Sequence, residues 1–229
     1  AMQSILAALS QPRRIRVVEV GAGSGGTTSS VLPVLDGHCE RYLFTDVSNM
    51  FLGRARVRFA KYRVIEYCLL NIDAAPAVQG LASSQFDLLI STNCLHATPS
   101  MRSTLCHCHQ LLGLGGMFVI NEGLESLAFP QITFGMTDGW WFFRESADPE
   151  RAGHQDPQLS WRQWEALLSD TGFSRSHCMR GRDILSCQGL VLARVAEYPP
   201  GDSLEGIGGG AYLVTGGLGG LGLLTARVV

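Results

Sequence analysis

The chain has 229 residues, a formal net charge of -2 and 46% hydrophobic residues, which suits one α/β domain, or one domain plus a fragment of another, and is too apolar for a disordered chain. So small a net charge gives no electrostatic reason to expect nucleic acid, and no apolar run approaches the roughly 20 residues of a membrane-spanning helix. Ala1 to Leu9 lacks the pattern of a secretory signal, and seven scattered cysteines, an odd number in a chain that needs no staples, point to a reduced, cytoplasmic protein.

Gln11-Pro12-Arg13-Arg14 is a polar start that leads into Ile15-Arg16-Val17-Val18-Glu19-Val20, a β-branched run that reads as a buried strand. Gly21-Ala22-Gly23-Ser24-Gly25-Gly26 follows, and Thr27 to Leu35 continues as a helix. Arg41 to Asp46 is a second strand, Phe51 to Tyr62 a basic-faced helix, and Val64 to Leu70 a third strand ending in Asn71-Ile72-Asp73. Phe86 to Ser91 is a fourth strand. Ser100 to Leu112 is a helix stopped by Gly113, Gly115 and Gly116, and Met117 to Glu122 is a fifth strand. Gly123 to Leu159 reads as irregular and holds Gly139-Trp140-Trp141-Phe142-Phe143. A helix from Ser160 to Thr171, with Trp161, Trp164, Leu167 and Leu168 on one face, precedes two last strands, Phe173 to Met179 and Gln188 to Val195. This alternation implies a mostly parallel sheet with helices on both faces and an antiparallel edge. Residues 1–197 are expected to form this core, and 198–210, with two prolines and five glycines, a linker. Residues 211–229 open a new strand and a second glycine cluster but are too few for another sheet, so they read as the truncated start of a second nucleotide-binding domain.

A glycine loop between strand and helix lets a ligand approach the backbone and meet helix N-terminal amides. The first loop has the better context, because Asp46 ends the next strand about 25 residues on, where a carboxylate can hydrogen-bond a ribose diol. That acid suits a nicotinamide dinucleotide or S-adenosylmethionine alike. Glu19, just ahead of the loop, favours the second: its charge opposes a pyrophosphate and suits a sulfonium. The second loop, Thr215 to Gly222, lacks the acid.

His96 lies just past the fourth strand and Glu122 at the end of the fifth. Open parallel sheets bind ligands beyond the carboxyl ends of their strands, where strand order reverses. Strands four and five are then neighbours ~4.8 Å apart, so an imidazole and a carboxylate share one rim. Such a pair makes a general base whose carboxylate fixes the tautomer and stabilises the imidazolium. Cys106-His107-Cys108-His109 invites a metal reading, but consecutive helical residues diverge and cannot converge on one ion. No metal is expected. Leu105, Cys108 and Leu112 read as a buried stripe, with His107 and His109 facing water.

At these residues the chain resembles the methyltransferase domains of type I polyketide synthases, especially the C-methyltransferases. The matching segments are Glu19 to Thr28, Phe44 to Ser48, Asn93 to Thr98, Leu111-Leu112 with Gly115-Gly116, Phe134-Gly135 with Gly139-Trp140-Trp141, and Trp164 to Phe173. Ala211 to Gly222 resembles the start of a ketoreductase. The resemblance implies a Rossmann-like class I fold with a seven-stranded sheet. It also implies S-adenosylmethionine as methyl donor, with S-adenosylhomocysteine as product, and a β-ketoacyl chain on the phosphopantetheine arm of an acyl carrier protein among neighbouring synthase domains. His96 and Glu122 match the family's catalytic dyad. Glu19, Gly21, Ala22, Gly23, Gly25, Asp46, Val47, Asn71, Ile72 and Asn93 fall in its cofactor site, with Asn71 where aspartate is usual near the adenine. Trp140 and Trp141 are candidates to line the acyl pocket, although core packing is the more frequent use of such aromatics. An NADPH site at Gly216, Gly220 and Gly222 is expected only in an intact ketoreductase. The family's helical lid is expected to be missing or truncated, since about 14 residues precede the first strand. Three other readings remain open: O-methylation of a β-hydroxyl on the same chain, an inert pseudo-methyltransferase, and a nicotinamide reductase, which lacks an evident Tyr-x-x-x-Lys pair.

Overall fold

The computed structural model describes residues 14–180 and 187–196. The chain divides into two units at Tyr198; the second unit, with the expected linker and ketoreductase start, lies outside the described residues, as does the segment ahead of Arg14. The elements in order are β1 (Ile15–Val20), α1 (Gly26–Leu35), β2 (Cys39–Asp46), α2 (Asn49–Arg58), β3 (Ile65–Leu69), β4 (Phe86–Thr92), α3 (Met101–Leu111), β5 (Leu112–Gly123), α4 (Ala128–Thr133), α5 (Phe142–Glu145), α6 (Trp161–Asp170), β6 (Phe173–Arg180) and β7 (Gln188–Val195). The sheet is seven-stranded, in the order β3-β2-β1-β4-β5-β7-β6. The pairings among β1 to β5 are parallel. Both pairings of β7 are antiparallel, so it is the one reversed strand, and β6 closes that edge.

Alternation along the strands explains why both faces need cover. Val18, Val20, Leu89, Phe118 and Ile120 meet Met101, Leu105 and Cys108 of α3 and Trp164 and Leu168 of α6. Val17, Tyr42, Phe44, Leu88 and Ile90 meet Leu32 and Leu35 of α1 and Leu52 of α2. Ser100 caps α3 by accepting from the Ser103 N–H. On α6, Ser160 and Gln163 form a reciprocal capping box.

Two expectations need correction. Helix α3 does end at the glycine cluster, but the chain passes straight into β5 at Leu112, five residues before the expected strand start at Met117. The glycines form an irregularity inside the strand, across which the register jumps from Phe86↔Leu112 to Leu88↔Met117. The histidines of α3 do not face water: the His107 ring lies 2.7 Å from the Ile72 carbonyl, and His109 packs edge-on against Phe173. Cys108 is buried and Cys106 exposed. Among the described residues, no group of three or more His, Cys, Asp or Glu is placed to hold a metal, and no helix is long and apolar enough to cross a membrane.

Candidate active site

Strand order reverses between β1 and β4, whose carboxyl ends open side by side. Beyond β4 the chain turns at Asn93, which adopts φ 47° and donates its N–H to the Asn121 carbonyl at 2.8 Å. A short 3-10 turn, Leu95–Ala97, then carries His96 back over the end of β5. Thr92 pairs with Asn121, so Glu122 is the next residue along the rim. Its Oε1 accepts from the N–H groups of Cys94 (2.9 Å) and Leu95 (2.8 Å). Its Oε2 lies 2.7 Å from His96 Nδ1. Three donors thus hold a carboxylate that is 1% exposed. Burial works against charge on His96, but the charge and hydrogen bond of Glu122 outweigh it, and the imidazole pKa is raised; Arg151 opposes this and Asp156 adds to it. With Nδ1 donating to the carboxylate, the neutral ring carries its lone pair on Nε2. The Trp140 ring stands edge-on to it at 5.4 Å.

The insertion between β5 and α6 supplies a group that the sequence reading missed. Arg151 is 1% exposed. It donates from Nη1 to the His96 carbonyl at 2.8 Å, from Nη2 to the carbonyls of Thr98 (2.6 Å) and Pro99 (3.3 Å), and from Nε to Asp148 at 2.6 Å. Its guanidinium also lies 5.3 Å from the centre of the Phe143 ring.

The expected cofactor residues lie at the ends of β1, β2, β3 and β4. Gly21 has φ +65° and no room for a side chain, because a Cβ there would overlap the Cys94 thiol. Gly23 has φ +54° and faces open space, with nothing within 4 Å of a Cβ position. Gly25 abuts the Phe59 ring and caps α1 in a left-handed conformation. Ala22 donates its N–H to the Thr45 carbonyl at 2.9 Å. Asp46 accepts from the Gly23 N–H at Oδ2 and from the Ser48 N–H at Oδ1, both at 2.9 Å, which ties the loop to the end of β2. Val47 beside it is 66% exposed, an apolar surface at the crevice. Asn71 is exposed, with its Oδ1 accepting from the Asp73 N–H. Asn93 is exposed on the rim. Ile72 is 4% exposed and packs into the core, so its side chain does not reach the crevice.

Glu19 is a further correction. It was expected to face a sulfonium, but strand alternation turns it to the α1 face, where it is 2% exposed. There its Oε2 accepts from the hydroxyls of Thr28 (2.5 Å) and Tyr42 (2.6 Å). Burial pushes its carboxyl up to about 7 against the pull of these two donors.

Trp140 is 2% exposed and packs between the His96 and Phe134 rings, the latter at 6.0 Å in a stacked arrangement. Trp141 is half-buried and donates from its indole N–H to the Gly135 carbonyl at 2.8 Å. Phe134, which stacks on Trp140, is 54% exposed, and Ile132 and Phe129 of the preceding α4 are each 71% exposed.

A family model described as a methyltransferase domain matches residues 18–118. The chain is 40% identical over 166 residues to the polyketide synthase ThaG of Burkholderia thailandensis, a match covering 71% of this chain and 3% of that protein. It is 34% identical over 194 residues to the highly reducing polyketide synthase pspA of Penicillium soppii, covering 82% of this chain and 7% of that one. Among solved structures, the CurJ carbon methyltransferase superposes with a TM-score of 0.77 at 35% identity, covering 85% of this chain and 54% of its own. The trans-methyltransferase CalH, solved in complex with SAH, gives 0.76 at 30% identity, again over 85% and 54%. The chain therefore spans a small part of these curated relatives and about half of these solved ones. Its sheet has the class I methyltransferase topology.

Proposed function

The chain belongs among the methyltransferase domains of polyketide synthases, and from that premise we propose that it methylates the α-carbon of a β-ketoacyl chain held on the phosphopantetheine arm of an acyl carrier protein. The observation that carries this reading is the dyad: His96 Nδ1 lies 2.7 Å from a Glu122 carboxylate that two peptide N–H groups already fix. Such a pair suits the removal of a proton from a carbon between two carbonyls, the step that makes a nucleophile.

S-adenosylmethionine, when bound, supplies a methyl group on a sulfonium whose sulfur leaves as a neutral thioether. The residues present fit this donor. Gly23 leaves the crevice open, the Asp46 carboxylate lies beside it with lone pairs to spare for ribose hydroxyls, and Val47 offers an apolar surface to a purine. Asn71 and Asn93 stand exposed on the same rim with amide groups to offer.

His96 takes the proton at Nε2. The electron pair of the broken C–H bond stays with the substrate, delocalised towards the ketone oxygen, and becomes the new carbon–carbon bond. Glu122 stabilises the imidazolium and keeps the ring in the tautomer that can accept at Nε2. Trp140, beside the ring, limits water at the base. The exposed apolar side chains of Phe134 and Ile132 suit an acyl tail.

The test supplies carrier-bound β-ketoacyl and β-hydroxyacyl chains with methyl-labelled donor and locates the label by mass spectrometry. Label on the α-carbon of the ketoacyl chain is expected. Label on oxygen would replace this reading with O-methylation. No label, in a chain that binds no S-adenosylhomocysteine, would mark an inert scaffold. His96→Ala is expected to abolish transfer while leaving S-adenosylhomocysteine affinity nearly intact, because a base acts in the transition state.

A further inference from the structure

We propose that Arg151 is a positioning residue, which gathers the carbonyls of His96, Thr98 and Pro99 from a buried pairing with Asp148 and so fixes the turn that carries the base. The inference rests on the dyad reading above and adds a second anchor to it. Glu122 holds the amide side of the turn, through the N–H groups of Cys94 and Leu95. Arg151 holds the carbonyl side, through three acceptors within 3.3 Å. Along the chain, His96 stands where the two anchored stretches of the turn meet.

The arrangement is built for arginine. A guanidinium presents five donors in a planar fork, enough for three carbonyls and one carboxylate, and it cannot be deprotonated. Burying it so fully needs a counter-charge, and Asp148 supplies one: neither side chain is exposed, and Nε to Oδ2 is 2.6 Å. The segment that carries the pair is otherwise poor in regular structure. It forms only a 3-10 turn, Pro149–Arg151, between α5 and α6. The pair thereby docks the insertion, including Trp140 and Phe143, against the catalytic rim.

Arg151 also sets the electrostatics of the base. The charged groups acting on the His96 ring are Glu122 from β5, with Arg151 and Asp156 from the insertion; Asp73, after β3, acts in turn on Arg151. Arg151 is the cation among those acting on the ring, and it opposes protonation. It reaches the carbonyl of His96 itself, whereas the Asp148 carboxylate, among the described residues, accepts from Arg151 and, at 3.4 Å, from the Met101 N–H. Removing both members of the pair therefore takes away more positive than negative influence at the ring.

Two variants test this in the full chain. Arg151→Lys keeps the charge but loses the fork. Asp148→Asn with Arg151→Gln removes both charges and leaves neither buried alone. Three measurements are made: S-adenosylhomocysteine affinity by calorimetry, kcat and KM for methyl transfer to a carrier-bound β-ketoacyl chain, and the His96 titration by NMR. The expected results are affinity and KM within about twofold of the parent, kcat down about tenfold in the lysine variant, and kcat down about 100-fold in the double variant. The His96 pKa should stay in place with lysine and rise in the double variant, moving the acid limb of kcat to higher pH. Parental kcat and an unmoved titration in the double variant would overturn the proposal. So would loss of S-adenosylhomocysteine binding in step with kcat, which would make Arg151 a support of the fold at large. If His96→Ala retains transfer, the dyad reading fails and the clamp with it; if His96→Ala is dead while the Arg151 variants are fully active, only the clamp fails.

Discussion

Replacing Glu122 by glutamine changes almost no volume, so its effect isolates the hydrogen-bond pattern. The carboxylate accepts at both oxygens, from two peptide N–H groups at Oε1 and from the imidazole at Oε2. Glutamine has one oxygen. Turning its NH2 group towards Cys94 and Leu95 would strip two buried N–H groups of their acceptor, at about 1–3 kcal/mol each. The carbonyl therefore faces the peptide groups and the NH2 faces His96. Nδ1 must then accept, the proton moves to Nε2, and the ring can no longer act as a base there. A well-placed general base contributes on the order of 10²–10⁴-fold, so kcat should fall about 1,000-fold, equivalent to about 4 kcal/mol of barrier. The imidazole should also titrate lower, because the charge and hydrogen bond that offset its burial are gone. Single-turnover methyl transfer and an NMR titration of His96 check both effects. A rate within threefold of the parent would refute the assignment of His96 as the base.

Other variants separate fold from site. Gly23→Ala adds a methyl group in open space at φ +54°, so it should cost only about 1 kcal/mol of stability from backbone strain; S-adenosylhomocysteine affinity should drop at least about tenfold, and unchanged affinity would remove the loop from the cofactor site. Asp46→Asn leaves one of two backbone amides facing an NH2 group, and calorimetry should show about tenfold weaker S-adenosylhomocysteine binding; parental affinity would exclude a ribose contact. Glu19 has a folded pKa of about 7 against an ordinary value of 4.5, so the folded chain holds a proton that the unfolded chain has released. Its contribution to stability therefore falls by about 3 kcal/mol as pH rises from 4.5 to 7. Glu19→Gln, whose carbonyl can still accept from Thr28 and Tyr42, should flatten that slope and raise Tm at pH 8 relative to the parent. An equal Tm difference at pH 5 and pH 8 would contradict it.

Much of this was legible in the sequence, where short-range patterns carry the information. The run Ile15 to Val20 ahead of a glycine cluster marks a buried strand and its turn, and the rim rule brings His96 and Glu122 together from strand order alone. The start of β5 was hidden because Leu112-Gly113-Leu114-Gly115-Gly116 has the composition of a helix stop, while an irregular ladder accommodates it only through the pairing with β4. The orientation of Glu19 was available in the alternation, since it shares a face with Val17; its partners Thr28 and Tyr42 are tertiary facts. Arg151 was invisible for a different reason. Asp148-Pro149-Glu150-Arg151-Ala152-Gly153 has the polarity of a surface loop, and nothing local shows that a long-range contact buries its cation.

The reversed strand has a consequence for how the chain is made. Translation delivers β7 last of the seven strands, yet the sheet seats it next to β5, one place in from the border. Until residues near 195 have left the ribosome, β5 displays a bare row of peptide groups beside Phe118 and Val119, and β6 has nowhere to attach because it pairs only through β7. A nascent chain in that condition is a template for strand exchange with its neighbours. A stall or cut ahead of Gln188 would therefore yield a sticky five-stranded intermediate rather than a smaller stable domain.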